Sequence, residues 1–126
     1  MSATPLRTER HGPTLVVHLG RAYNSLDEAS LEGVENALLE AAGEAETQNL
    51  VVDLSATEFF GSRFIESLFR AHNRIKRKGG RFVLSGLQPH PAEVIRISHL
   101  DRIWPLFASS ELAVQSLAQN ASQSMG

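Results

Sequence analysis

Residues 49–68 read NLVVDLSATEFFGSRFIESL, and this stretch decides the fold. Leu50, Val51, Val52 and Leu54 make a short run that is apolar except for Asp53. That composition suits a central strand covered on both faces. A small polar link leads to the apolar pair Phe59 and Phe60. The turn Gly61-Ser62-Arg63 follows, and then apolar residues return at helical spacing. A strand feeding a helix through a tight turn is the repeating unit of an α/β domain.

The pattern continues on both sides. Thr14–Leu19 (TLVVHL) reads as a strand, entered through the turn residues Gly12 and Pro13. Between 27 and 45, Leu31, Val34, Leu38 and Ala41 form an apolar stripe with Glu32, Glu35 and Glu40 off it, which predicts a helix. A second helix is predicted over 62–78, with the stripe Ile65, Leu68, Phe69, His72 and Ile75. Gly79 and Gly80 stop it, after Lys76, Arg77 and Lys78 have placed positive charge at the negative end of its dipole. Arg81–Ser85 is the next strand and Pro91 opens a short helix to about Ser98. Residues 103–107 read as an edge strand, where Pro105 is tolerated. A final helix, capped by Ser109 or Ser110, runs to about Ala118. Strands alternating with helices imply mostly parallel pairing.

The totals bound the function. The 126 residues suit one domain, with a core over about 14–118 and a polar, flexible tail over 119–126. A net charge of -2 gives no bulk attraction to nucleic acid or to an anionic membrane. The absence of cysteine excludes disulfides, thiolate catalysis and Cys-based zinc sites. No apolar run approaches the roughly 20 residues of a membrane span, and the polar N-terminus lacks a signal-like segment. The expectation is a cytoplasmic protein without membrane insertion.

Candidate chemistry is sparse. His11, His18, His72, His90 and His99 form no H-x-x-x-H pair, and no acid stands at clear ligand spacing to one of them, so no metal or cofactor is expected. Phosphate-loop and nucleophile-elbow motifs are absent. Asp53, near the end of a parallel-type strand, stands where an α/β enzyme places a catalytic acid. The plainer reading is a strand-end residue bonding a neighbouring loop. Charge is uneven: Asp27, Glu28, Glu32, Glu35, Glu40, Glu44 and Glu46 sit in the first helix and its exit. Arg63, Arg70, Arg74, Lys76, Arg77, Lys78 and Arg81 sit in and after the second. Arg70, Arg74, Arg77 and Lys78 share one side of that helix. That side is a binding face for something acidic, a solvated face, or one that meets the acids if the two helices are neighbours.

Taken together, the order of pieces resembles the STAS domain family, named for sulfate transporters and anti-sigma-factor antagonists. The residues carrying the resemblance are Val51-Val52-Asp53-Leu54, Phe59-Phe60, Ile65 with Leu68, Gly79-Gly80-Arg81-Phe82-Val83-Leu84 and Leu100-Asp101-Arg102-Ile103. It implies a SpoIIAA-like STAS fold: a mixed, mostly parallel sheet of about four or five strands packed with four helices. It implies a non-enzymatic protein-interaction module of the anti-sigma-factor-antagonist type, in a bacterial partner-switching system, as a monomer or weak dimer. The partner would be an anti-sigma factor that doubles as a serine kinase, or another regulatory protein. The alternatives are an accessory subunit of a lipid-handling ABC transporter and a small ligand-binding or enzymatic domain.

The family's Asp-Ser-Ser/Thr-Gly turn is rewritten here. Gly61 stands at its Asp, Ser62 at its first Ser, Arg63 at its phosphoacceptor and Phe64 at its Gly. Arg63 cannot accept phosphate and carries the opposite charge. Three readings remain open: Ser62 has become the phosphoacceptor; the turn is a partner surface without a switch; or Ser62 is only a helix cap. The partner surface implied by the resemblance comprises Gly61, Ser62, Arg63 and Glu66, with Tyr23, Asn24 and Ser25 beside it.

Overall fold

A computed structural model describes residues 7–19, 28–57 and 62–125, with the backbone alone at 28–31, 62 and 120–125. Its elements are β1 (Arg7–His11), β2 (Thr14–His18), α1 (Glu28–Gly43), β3 (Asn49–Asp53), α2 (Ser62–Arg77), β4 (Phe82–Ser85), α3 (Pro89–Ile97), β5 (Leu106–Phe107) and α4 (Ser110–Met125). A 3₁₀ turn, Leu100–Arg102, follows α3. The sheet runs β1-β2-β3-β4-β5 in sequence order. β1 is antiparallel to β2, and the remaining pairs are parallel. This is the mixed, mostly parallel sheet with four helices that the sequence pattern implies.

The strand order explains the layering. Parallel strands laid down in one direction, with connections of one hand, send every connection over the same face. That face holds Leu15, Val17, Leu50, Val52, Phe82 and Leu84, packed with Val34 and Leu38 of α1, Phe64, Leu68, Ala71 and Ile75 of α2, and Ile95 of α3. The opposite face is left to α4. There Val16, Val51 and Val83 stand in register across three strands and pack against Ala113 and Leu117. β3 lies at the centre, and its Leu50, Val51 and Val52 are completely buried, as a strand covered on both faces requires; Leu54, just past its end, is buried too.

Four local readings change. β1 is a strand, although all five of its residues are exposed and its pattern is polar. Gly12, at a φ of +62°, turns the chain so that β1 pairs with β2 from His11↔Thr14 to Arg7↔His18. β5 is only Leu106–Phe107, because the 3₁₀ turn occupies the chain just before it. Pro105 lies outside the strand, where its carbonyl accepts from Leu84 N. α4 runs to Met125 rather than ending near Ala118. The buried stripe of α2 is Phe64, Leu68, Ala71 and Ile75; Ile65, Phe69 and His72 are half-buried beside it.

The end of α2 is fixed by glycine. Gly79 takes a φ of +78°, which a side chain would resist. A Cβ on Gly80 would collide with the carbonyl of Gln48. Gly80 N donates back to Ile75 O at 3.0 Å, and Gln48 Nε2 donates to Lys78 O at 2.9 Å, which closes the helix end on the strand entry.

Candidate protein-interaction site

The ends of the parallel strands gather the polar residues. His18, Asp53 and Ser85 stand in register across β2, β3 and β4. They lie two residues beyond the valine row and therefore on the same face. His18 Nδ1 lies 3.1 Å from Asp53 Oδ2. Asp53 Oδ1 accepts from Ser55 N at 2.9 Å. Asp53 thus bonds a neighbouring loop, as a strand-end residue, and its partnership with His18 was not legible in the spacing. Glu9 reaches in from β1, with Oε1 3.5 Å from the Nε2 atoms of both His11 and His18. Those two histidines, His11 first, hold the Glu9 carboxyl below its ordinary range. Among the described residues, no group of three or more His, Cys, Asp or Glu side chains is arranged to hold a metal.

Loops lock together above this row. Leu54 N donates to Ser85 O and Thr57 N to Leu54 O, so the link leaving β3 turns tightly. Gly86 takes a φ of +69°, and a Cβ there would come within 2.7 Å of Asp53 Oδ1. Gln88 Nε2 donates to Ser55 O at 2.8 Å. Residues 54–57 are therefore tied to the β4–α3 loop.

α2 begins at Ser62. Phe64, only 1% exposed, anchors the first turn in the core. Ser67, buried beside it, donates from Oγ to Arg63 O at 3.3 Å. Arg63 and Glu66 face outward. The first turn contains no acid. Arg63 is a cation placed at the positive end of the dipole, with Glu66 one turn on. Of the residues expected in the partner surface, Ser62 and Arg63 lie on the first turn of α2 and Glu66 stands one turn on, beside Arg63. Tyr23, Asn24, Ser25 and Gly61 lie outside the described residues.

The sequence reading missed Phe64 as a core residue, because Phe64 and Ile65 are adjacent apolar residues and either could start the stripe. Phe64 gives the first turn of α2 a hydrophobic anchor. His72 is half-buried, as a histidine on that stripe should be. Its Nδ1 accepts from Trp104 Nε1 at 3.1 Å. Burial first, and the charge of Lys76 second, push its pKa below the ordinary value.

The two charged sets do meet, since α1 and α2 are neighbours. Arg70 pairs with Glu35, whose hydrogen bond and charge raise the pKa of the guanidinium. Lys78 Nζ donates to the carbonyls of Glu44 and Thr47.

The model of the STAS domain family matches residues 6–113, a span that takes in every strand of this sheet. The chain belongs to the STAS domain family. Among solved structures, an anti-sigma-factor antagonist (STAS) domain protein from Planctomyces limnophilus is 30% identical, with 90% of this chain and 97% of that one covered at a TM-score of 0.82. An anti-sigma factor antagonist from Mycobacterium paratuberculosis is 25% identical, covering 94% and 99%, at a TM-score of 0.74. The phosphorylated form of the Bacillus cell fate determinant SpoIIAA shares the fold at 19% identity, covering 88% and 97%, with a TM-score of 0.68. No curated protein matches this STAS chain.

Proposed function

We propose that this STAS domain is a non-enzymatic interaction module of the anti-sigma-factor-antagonist type, and that it meets a regulatory protein partner through the start of α2. The observation that carries this reading is the build of the first turn. Phe64 and Ser67 are buried and hold the backbone, while Arg63 and Glu66 are presented outward side by side. The printed names of the relatives, anti-sigma factor antagonists at 30% and 25% identity, support a partner-switching setting. Ser62, Arg63 and Glu66 are the core of the surface, with Gly61 and the Tyr23-Asn24-Ser25 segment beside it. The domain works in the cytoplasm.

At this surface Arg63 stands where the regulatory members resembled here carry a phosphoacceptor, so contact is not gated by phosphate at that position. Incubation with the cognate serine kinase should leave at most weak label, all of it at Ser62. Arg63→Glu should weaken partner binding, read by titration calorimetry, while the thermal transition stays cooperative. Stoichiometric label that Ser62→Ala abolishes would replace the ungated reading with a relocated switch. Unchanged affinity in Arg63→Glu would remove Arg63 from the surface.

A further inference from the structure

Two grooves of opposite charge run along the two flanks of α1. On the β1 side, a groove of ≈ 610 Å³ is lined by Arg10, Glu40, Glu44 and Glu46, with Leu15 and Ala37 at its base. Arg10 is already engaged there, with its guanidinium 2.9 Å from Glu44 Oε1 and 2.8 Å from Thr47 Oγ1. On the α2 side, a groove of ≈ 230 Å³ is lined by Leu39, Arg70, Asn73, Arg74 and Arg77. Arg70 is engaged with Glu35. The carboxylates of Glu40 and Glu46 and the guanidinium groups of Arg74 and Arg77 have no ion-pair partner among the described residues, and all four residues are exposed. Toward the C-terminal end of α1 each flank therefore has unspent charge of one sign, with the opposite sign across the helix, while Glu32 adds an exposed acid nearer the start.

We propose that these two grooves are the two halves of a self-complementary surface that pairs with a second copy of this chain. A two-fold axis through the outer ridge of α1 lays the acidic groove of each copy over the basic groove of the other. An isologous interface repeats every contact twice, so one arrangement satisfies Glu40 and Glu46 and Arg74 and Arg77 in both copies. The ridge between the grooves carries exposed Gly33 and Asn36, with open space at the position of a Gly33 side chain, and Glu40 stands one turn on from Asn36 at its acidic edge. The other occupants fit one groove and are repelled by the other. Nucleic acid, an anionic membrane or an acidic segment drawn to Arg74 and Arg77 meets Glu40 and Glu46 about one helix width, ~10 Å, away. A net charge of -2 adds little repulsion between copies. The contact is ionic and exposed, so the association is weak and strongly salt-dependent. It lies away from the start of α2, and its failure leaves the partner-binding reading untouched.

Sedimentation velocity on the whole chain tests this. The dimer should form at ionic strength of about 20 mM and its dissociation constant should rise about tenfold or more at about 0.5 M. Arg74→Glu with Arg77→Glu should be monomeric, as should Glu40→Lys with Glu46→Lys, each with unchanged far-UV circular dichroism. An equimolar mixture of the two variants should dimerise again, because each copy then offers the other the complement it lacks. A wild-type chain that stays monomeric at low salt overturns the proposal. So do a dimer that either variant leaves intact, a mixture that stays monomeric, and growth beyond the dimer, which means an open contact rather than a closed one.

Discussion

The two faces of the sheet are built differently. The face under α1, α2 and α3 is broad and holds the large side chains, including Phe64, Phe82 and Trp104. The face under α4 is narrow: three valines, Ala113 and Leu117, then the polar row of His18, Asp53 and Ser85 where the strands end. Among the described residues, the buried polar atoms without a hydrogen bond are His18 Nε2, Thr57 Oγ1 and Ser85 Oγ. Two of the three belong to that row. Ser85 Oγ has no partner there and His18 Nε2 has only the long 3.5 Å contact to Glu9, so the row is a place where the fold gives up stability. The crossovers anchor the domain on one face, and its unspent polarity collects on the other.

Truncations should rank the faces. Phe64→Ala should cost about 3–5 kcal/mol, read as a lower urea midpoint with an unchanged slope, because it empties the centre of the broad face under the first turn of α2. Leu117→Ala, on the narrow face, should cost about 2–3 kcal/mol. Equal costs would erase the distinction between the faces. At the polar end, Gly86→Ala should cost about 1–2 kcal/mol, since it puts a side chain at positive φ and crowds Asp53. A neutral Gly86→Ala would mean that this corner is looser than its contacts imply.

The smallest effect is a pH slope on the broad face. The folded pKa of His72 lies below the unfolded value, so in acid the unfolded chain binds the proton more readily. Stability is complete above the unfolded value of about 6.5 and declines as pH falls through it. His72→Gln keeps an acceptor for Trp104 and removes the titration. Between pH of about 7.5 and 5.5, its urea midpoint should fall less than the wild type's. Parallel curves would assign the slope to other groups.

Much of the fold could be read from residues whose burial follows their periodicity. Val51 and Val52 announced a strand covered on both sides, and the Gly79-Gly80 stop set the end of α2. β1 was illegible because RTERH has no apolar face; backbone pairing through the Gly12 turn makes it a strand. Phe64 was misplaced because two adjacent apolar residues leave the helical phase open by one position. At the interaction site, the exposure of Arg63 and Glu66 follows from their type. The anchoring role of Phe64 and Ser67 depends on tertiary packing and has no local signal. The meeting of acids and bases between α1 and α2 was conditional on a neighbour relation that only the strand order supplies.

The one tryptophan gives the domain a built-in optical reporter. Trp104 is fully buried, stacked at a tilt on Phe69 with ring centroids 4.8 Å apart, and donates its indole N–H to His72. An imidazole that gains a proton at that contact quenches the neighbouring indole. The emission of the unlabelled protein therefore tracks both the seating of α2 and the charge on its middle turn.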